Sequence, residues 1–146
     1  MQAVTLPITL ATAGAAGIIN FWLGLRVGRV RHSEKVSIGD GGNPRLTARM
    51  RAHANFAEYA PFVLILIALI EFTAGTSLWL WVVAALFLLA RIAHPLGMDG
   101  LRHARLFGIV VTLVVMVGLA IYAAVLPFEA AKGPAPIAID AMPPQG

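Results

Sequence analysis

The sequence predicts an all-α membrane protein whose subunit is a bundle of four transmembrane helices, and three observations carry that reading. Of 146 residues, 59% are hydrophobic and only 12% are charged, too apolar a composition for a soluble domain of this size. Uncharged runs cover Met1 to Leu25, Phe72 to Ala90 and Leu106 to Phe128, each close to or above the roughly 20 residues an α-helix needs to cross about 30 Å of hydrocarbon. A fourth run, Tyr59 to Ile70, is shorter and spans only if its helix also takes in Asn55 and Glu58. The third observation is where the basic residues lie. Arg26, Arg29, Arg31, Lys35, Arg45, Arg49 and Arg51 fall between the first and second spans, and Arg91, Arg102 and Arg105 between the third and fourth. In an up-down bundle those two connections share one face, which the positive-inside rule makes cytoplasmic, with both termini on the other side.

That distribution also explains the net charge of +4. In a soluble protein it would suggest nucleic acid; here topology accounts for it, and no nucleic-acid partner is expected. The chain has no cysteine, so disulfides, thiolate metal sites and a cysteine nucleophile are excluded, and any thiol chemistry must use a thiol carried by a ligand. Ala11-Thr-Ala13 looks like a signal-peptide cleavage site. The basic residues follow the apolar run rather than precede it, however, which is the charge order of a retained first helix.

Helix one is expected from about Val4 to Arg31, rich in small residues such as Ala13 and Gly17 that let helices pack closely. Asn20 lies in mid-span and needs a partner across an interface. Arg26 and Arg29, three apart, share a face where they either snorkel to lipid phosphates or point into a site. The loop Ser37 to Pro44 breaks the chain with three glycines, but it lacks the Gly-Lys-Ser/Thr ending of a phosphate-cradling loop. Asn43-Pro44 reads as an N-cap and first helical residue of helix two, and Pro61 should kink that helix near Ala57. Thr73 to Ser77 is the next turn, with Trp79 and Trp81 beside it as an interfacial belt. Helix three should end at Arg91-Ile-Ala-His94, its last turns disturbed by Pro95 and Gly97. Asp99-Gly100 is the expected tight turn, Arg102 and Arg105 start helix four, and Leu106 to Leu126 form its apolar body. The domain is expected over residues 1–127, and the proline-rich stretch 128–146 as a disordered tail.

The functional candidates cluster on helix two. Arg51, Asn55, Glu58 and Tyr59 fall at i, i+4, i+7 and i+8, one face roughly 100° wide. Groups of that kind are costly in hydrocarbon and mark a bundle interior or a watery cavity. The plainer reading is that they join helices by hydrogen bonds, worth on average under about 1 kcal/mol each in lipid. Arg91, His94 and Met98 share a face of helix three. The four histidines show no metal-ligand spacing, and His53 points away from the Arg51 face, so no metal site is expected.

These residues resemble a known family. Gly-Asp-Gly-Gly-Asn-Pro44, Arg51-Ala-His-Ala-Asn55-Phe-Ala-Glu58-Tyr59-Ala-Pro61 and Ala90-Arg91-Ile-Ala-His94 are similar to the membrane-associated proteins in eicosanoid and glutathione metabolism (MAPEG), in their bacterial form. The resemblance covers about residues 1 to 127, and it implies a homotrimer in the bacterial inner membrane with glutathione bound between subunits near the cytoplasmic face. It implies glutathione contacts for Arg51, Asn55, Glu58, Tyr59 and His94, a basic position at one or both of Arg26 and Arg29, and a thiol-facing arginine at Arg105, or alternatively Arg102. Met98 stands where several members have a tyrosine. The implied activity is that of a glutathione transferase or peroxidase acting on apolar electrophiles or lipid hydroperoxides. The chemistry of the residues agrees. Arginines suit the two carboxylates of glutathione, Glu58 its ammonium and Asn55 an amide or carboxylate. A guanidinium near sulfur favours the nucleophilic thiolate. A non-enzymatic membrane protein, with the polar face as a structural network or a pore lining, is the competing reading.

Overall fold

The computed structural model describes residues 5–130; the expectations for Met1 to Val4 and for the tail beyond Ala130 lie outside the described residues. Four helices follow in order: α1 Pro7–Glu34, α2 Pro44–Ala74, α3 Leu78–Met98 and α4 Arg102–Ala130. All four are long and apolar enough to cross a membrane. The end of the bundle holding the α1–α2 and α3–α4 connections carries most of the arginines and is called the basic end below. A single apolar core runs between the helices, with Ile19, Leu23, Phe56, Val63, Phe87 and Leu119 at its centre.

Local chemistry explains most of the boundaries. α1 ends at Lys35, which takes the left-handed conformation (φ 54°) while the Val36 amide bonds back to the Arg31 carbonyl at 3.0 Å. The chain then turns through glycines with positive φ. At Gly41 (φ 58°) an added Cβ would also sit 2.7 Å from Val36, so the turn requires glycine twice over. Asp40 accepts from the Gly42 amide at 3.0 Å and the Thr47 hydroxyl at 2.8 Å, bonds that hold its carboxyl below the usual carboxylate range. Asn43 caps α2 as its sequence suggests, accepting from the Leu46 amide at 3.0 Å with Pro44 in the first turn. α2 continues unbroken through Pro61 to Ala74.

Helix three departs from expectation. It does not stop at His94 but runs through Pro95 and Gly97 to Met98. Pro95 forfeits one bond to the Arg91 carbonyl, and packing against α4 holds the helix together regardless. Gly97 abuts the backbone of Arg105, where an added Cβ would lie 2.1 Å from the amide nitrogen, and at Gly108 it would lie 2.7 Å from the Cβ of His94. The close approach of small residues therefore joins α3 to α4. On α1, Cβ atoms added at Gly14 or Gly17 would meet nothing within 4 Å, and Ala13 is exposed. The expected Asp99-Gly100 turn follows (Gly100 φ 129°). α4 then starts at Arg102 and continues past Leu126, through Pro127, to Ala130.

At the opposite end, Glu71 performs a task that its sequence context does not announce. Leu6 provides no side-chain cap for α1, leaving the first amides open. The Glu71 carboxylate closes them from α2, accepting from the Ile8 amide at 3.0 Å and the Thr9 amide at 2.8 Å. The hydroxyls of Thr9 at 2.7 Å and Thr76 at 3.0 Å complete its shell. The two carboxylate oxygens thus do in trans what an Asp or Ser N-cap does locally. Glu71→Ala should destabilise the fold by about 2 to 4 kcal/mol, since it strands buried donors that had a charged acceptor; Glu71→Gln should cost less, keeping one acceptor. Unfolding of the two variants in detergent, compared with the wild type, measures both.

Candidate functional site

The stripe on α2 forms as the helical spacing requires. Arg51 and Glu58 are exposed on the subunit surface, and Asn55 and Tyr59 are half-buried beside them. Among the described residues neither Arg51 nor Glu58 has a hydrogen bond or ion pair. Glu58 lies thirteen residues before Glu71 on the same helix, about 20 Å at the α-helical rise of 1.5 Å per residue. If Glu71 marks one edge of a hydrocarbon layer about 30 Å thick, Glu58 falls inside that layer.

Arg91 lies behind the stripe and holds it in place. The residue is 2% exposed, and its guanidinium is sealed between three helices. It donates from Nη1 to Asn55 Oδ1 on α2 at 3.0 Å and from Nη2 to the Gly108 carbonyl on α4 at 3.3 Å. Thr112 donates to the same carbonyl at 2.7 Å. Nε of Arg91 has no partner among the described residues. Asn55, Tyr59, Arg91, Ile109, Thr112 and Leu113 enclose a notch of about 30 Å³, room for about one water. A larger ligand on this stripe must therefore lie over the subunit surface rather than within it.

His94 is buried one turn after Arg91, where Gly108 lets α4 approach closely. Arg105 is exposed on the first turns of α4, its backbone against Gly97. It lies one turn before Ile109 of the notch, hence on that side of α4. Arg102 is the first residue of α4 and is also exposed. The structure thus gathers Asn55, Tyr59 and Arg91 around the notch, with His94 one turn further along α3, Arg51 on the same face of α2 and Arg105 one turn before Ile109 on α4.

The two arginines of α1 part company. Arg26 is buried and forms an ion pair with Asp99 of the α3–α4 turn, with its guanidinium 4.8 Å from the Trp22 ring centre. Arg29 is exposed. Three residues separate them by about 60° around the helix, enough at a bundle edge to turn one inward and leave the other outside. Of the two, only Arg29 is free to meet a ligand without breaking an ion pair. His53 points to α1, where its Nε2 lies 2.9 Å from Asn20 Oδ1, the interface partner that Asn20 needed. Among the described residues no group of three His, Asp or Glu side chains gathers closely enough to hold a metal ion.

Two residues of this region went unassigned on sequence reasoning. Arg91 reads as one more topology-marking arginine at the end of an apolar run, although its spacing to His94 placed it on the site-facing side. Asp99 reads as a turn residue only, and nothing in the sequence pairs it with Arg26, 73 positions away.

Comparison with known proteins places these features in a family. The MAPEG family profile matches residues 9–125, through all four helices. Two curated relatives, the inner membrane protein YecN of Escherichia coli strain K12 and that of strain O6:H1, are each 35% identical over 80 residues. The match covers 54% of this chain and 57% of each relative, so the chain spans a little over half the length of the relatives it matches. A profile match of that extent, over a four-helix fold with Arg51, Asn55, Glu58 and Tyr59 on one face of α2, shows that the chain is a multi-pass membrane protein belonging to the MAPEG family.

Proposed function

We propose that the protein binds glutathione at the α2 stripe, between subunits of a homotrimer in a bacterial inner membrane, and uses its thiolate against apolar substrates. Glu58 carries this reading: it is a carboxylate exposed on the surface of a subunit, at a depth where hydrocarbon would surround it, with no partner in its own chain among the described residues. A neighbouring subunit that closes over the stripe removes that cost, and a cationic ligand group between the two removes it further. The ammonium of glutathione fits Glu58, one carboxylate fits Arg51 as a paired, charge-assisted contact, and Asn55, oriented by Arg91, presents its amide nitrogen to a carbonyl or carboxylate. Arg29 supplies the basic position on α1. Tyr59 borders the notch, His94 lies one turn beyond Arg91 on α3, and Arg105 at the edge of the stripe faces the thiol.

The chemistry follows from that placement. A guanidinium beside sulfur favours loss of the thiol proton. The thiolate then attacks an electrophilic carbon to form a thioether, either expelling a leaving group with its bonding electrons or adding to a conjugated double bond whose carbanion takes up a proton. With a lipid hydroperoxide it breaks the O–O bond instead, and a second glutathione yields the disulfide, alcohol and water. Termini on the non-cytoplasmic side put the basic end in the cytoplasm, where glutathione is at hand.

One observation favours a second reading, a non-enzymatic protein with a structural polar network: Asn55 Oδ1 is already taken by Arg91. Calorimetry with glutathione in detergent separates the two, because only the first reading gives binding. Glu58→Gln, which keeps shape and loses charge, should weaken glutathione about tenfold or more; unchanged affinity would remove Glu58 from the site. Arg105→Ala should keep most of the affinity, lose the ultraviolet thiolate absorbance of bound glutathione, and lower the transferase rate about a hundredfold. The same loss on Arg102→Ala instead would move the role to Arg102. Native mass spectrometry from mild detergent should give trimers, and monomers alone would contradict an intersubunit site.

A further inference from the structure

At the basic end, α1, α2 and the α3–α4 turn meet in a charge cluster that the stripe does not use. Arg26 pairs with Asp99, Arg49 donates from Nη1 to the Arg26 carbonyl at 3.2 Å, and Arg49 Nε stands 3.6 Å from the other Asp99 oxygen. A single carboxylate therefore faces two guanidiniums, and the hydrogen bonding falls short in the same way. Arg26 Nη1 and Arg49 Nε are both buried with no hydrogen-bond partner among the described residues. The Arg26 side chain is 8% exposed, and stranded donors at such sites cost about 1 to 3 kcal/mol each, more when charged. The excess of positive charge is of the kind an added anion would offset.

Room for one adjoins the cluster. Pro44, Arg45, Ala48, Arg49, Met98 and Asp99 line an open cavity of about 440 Å³. Arg45 and Arg49 are four residues apart, so their side chains lie one turn from each other on the same face. These two guanidiniums outnumber the one carboxylate, Asp99, in the lining and leave the wall of the cavity net cationic. Pro44, Ala48 and Met98 give it an apolar side. Arg49 also lies two residues before Arg51, on the opposite side of α2 from the stripe, so the cavity is a separate place from the glutathione site.

We propose that this cavity binds a phosphate group, held between Arg45 and Arg49. A tetrahedral oxyanion offers several acceptor oxygens and can engage two guanidiniums one turn apart at once, as fork geometry favours. The cavity opens at the end of α3, whose 21 residues span about 30 Å, the thickness of the hydrocarbon layer. Its mouth is therefore at the level of lipid headgroups. The phosphate has two sources, an anionic lipid headgroup or free phosphate, and one experiment tells them apart.

Protein stripped of lipid in a neutral maltoside detergent is titrated with phosphatidylglycerol, with phosphatidylcholine of the same acyl chains and with inorganic phosphate, and binding is read by native mass spectrometry and calorimetry. Preference for phosphatidylglycerol over phosphatidylcholine assigns the site to a lipid headgroup. Inorganic phosphate binding with no preference between the lipids assigns it to free phosphate. In either case Arg45→Gln, at an exposed position, should weaken the bound probe about fivefold, while Lys35→Gln, on the same end of the bundle but away from the cavity, should leave it unchanged. Glutathione binding should not follow Arg45→Gln, so failure here is distinct from failure of the α2 stripe. The proposal is overturned if neither probe binds, if Arg45→Gln has no effect, or if Lys35→Gln weakens binding equally, since the last result describes a diffuse basic surface.

Discussion

Arg91 places a permanent charge where three helices meet, and the basic half of the bundle is arranged around it. A guanidinium cannot be left unanswered in so apolar a setting, because removing it from water costs several kcal/mol unless its donors are satisfied. The answer comes from two neighbours. Asn55 turns its oxygen inward, which fixes the rotation of α2 and so the direction of the whole Arg51 to Tyr59 stripe. The Gly108 carbonyl is reachable because Gly108 has no side chain to hold α4 away from His94. The geometry of the candidate site thus rests on one buried cation and one missing methyl group.

How much of this could be read in advance depended on the range of the interaction. Local signals did well. The apolar runs marked four spans, Asn43-Pro44 marked the start of α2, and Asp99-Gly100 marked the turn before α4. The stripe on α2 followed from spacing alone. Signals failed where a distant partner decides the outcome. Pro95 reads as a helix end by its own chemistry, and only packing of Gly97 on α4 keeps α3 going. Within the subunit the tight contact is between α3 and α4, at Gly97 and Gly108, whose sequence context does not mark them as a packing pair. Arg26 and Arg29 read as equivalent until Asp99, 73 residues from Arg26, selects one of them.

The charged residues sort by how they are answered. Glu71 is fully bonded, Arg91 mostly, Arg26 and Arg49 in part, and Glu58 and Arg51 not at all within the described chain. Fully answered groups hold the subunit together. Those left open lie on one side of α2, and they give the subunit the character of one wall of a site.

The Glu71 cap has a consequence for how the chain is made. The first turn of α1 is closed by a residue 63 positions later, so during synthesis that turn leaves the ribosome long before its acceptor does. Until the far end of α2 arrives, the amides of Ile8 and Thr9 must stay with water or lipid headgroups, and the first span cannot settle to its final depth. Once Glu71 reaches them, its carboxylate ties the two helices together as a hairpin. One carboxylate at the far end of the second helix thereby couples the placement of that helix to the completion of the first.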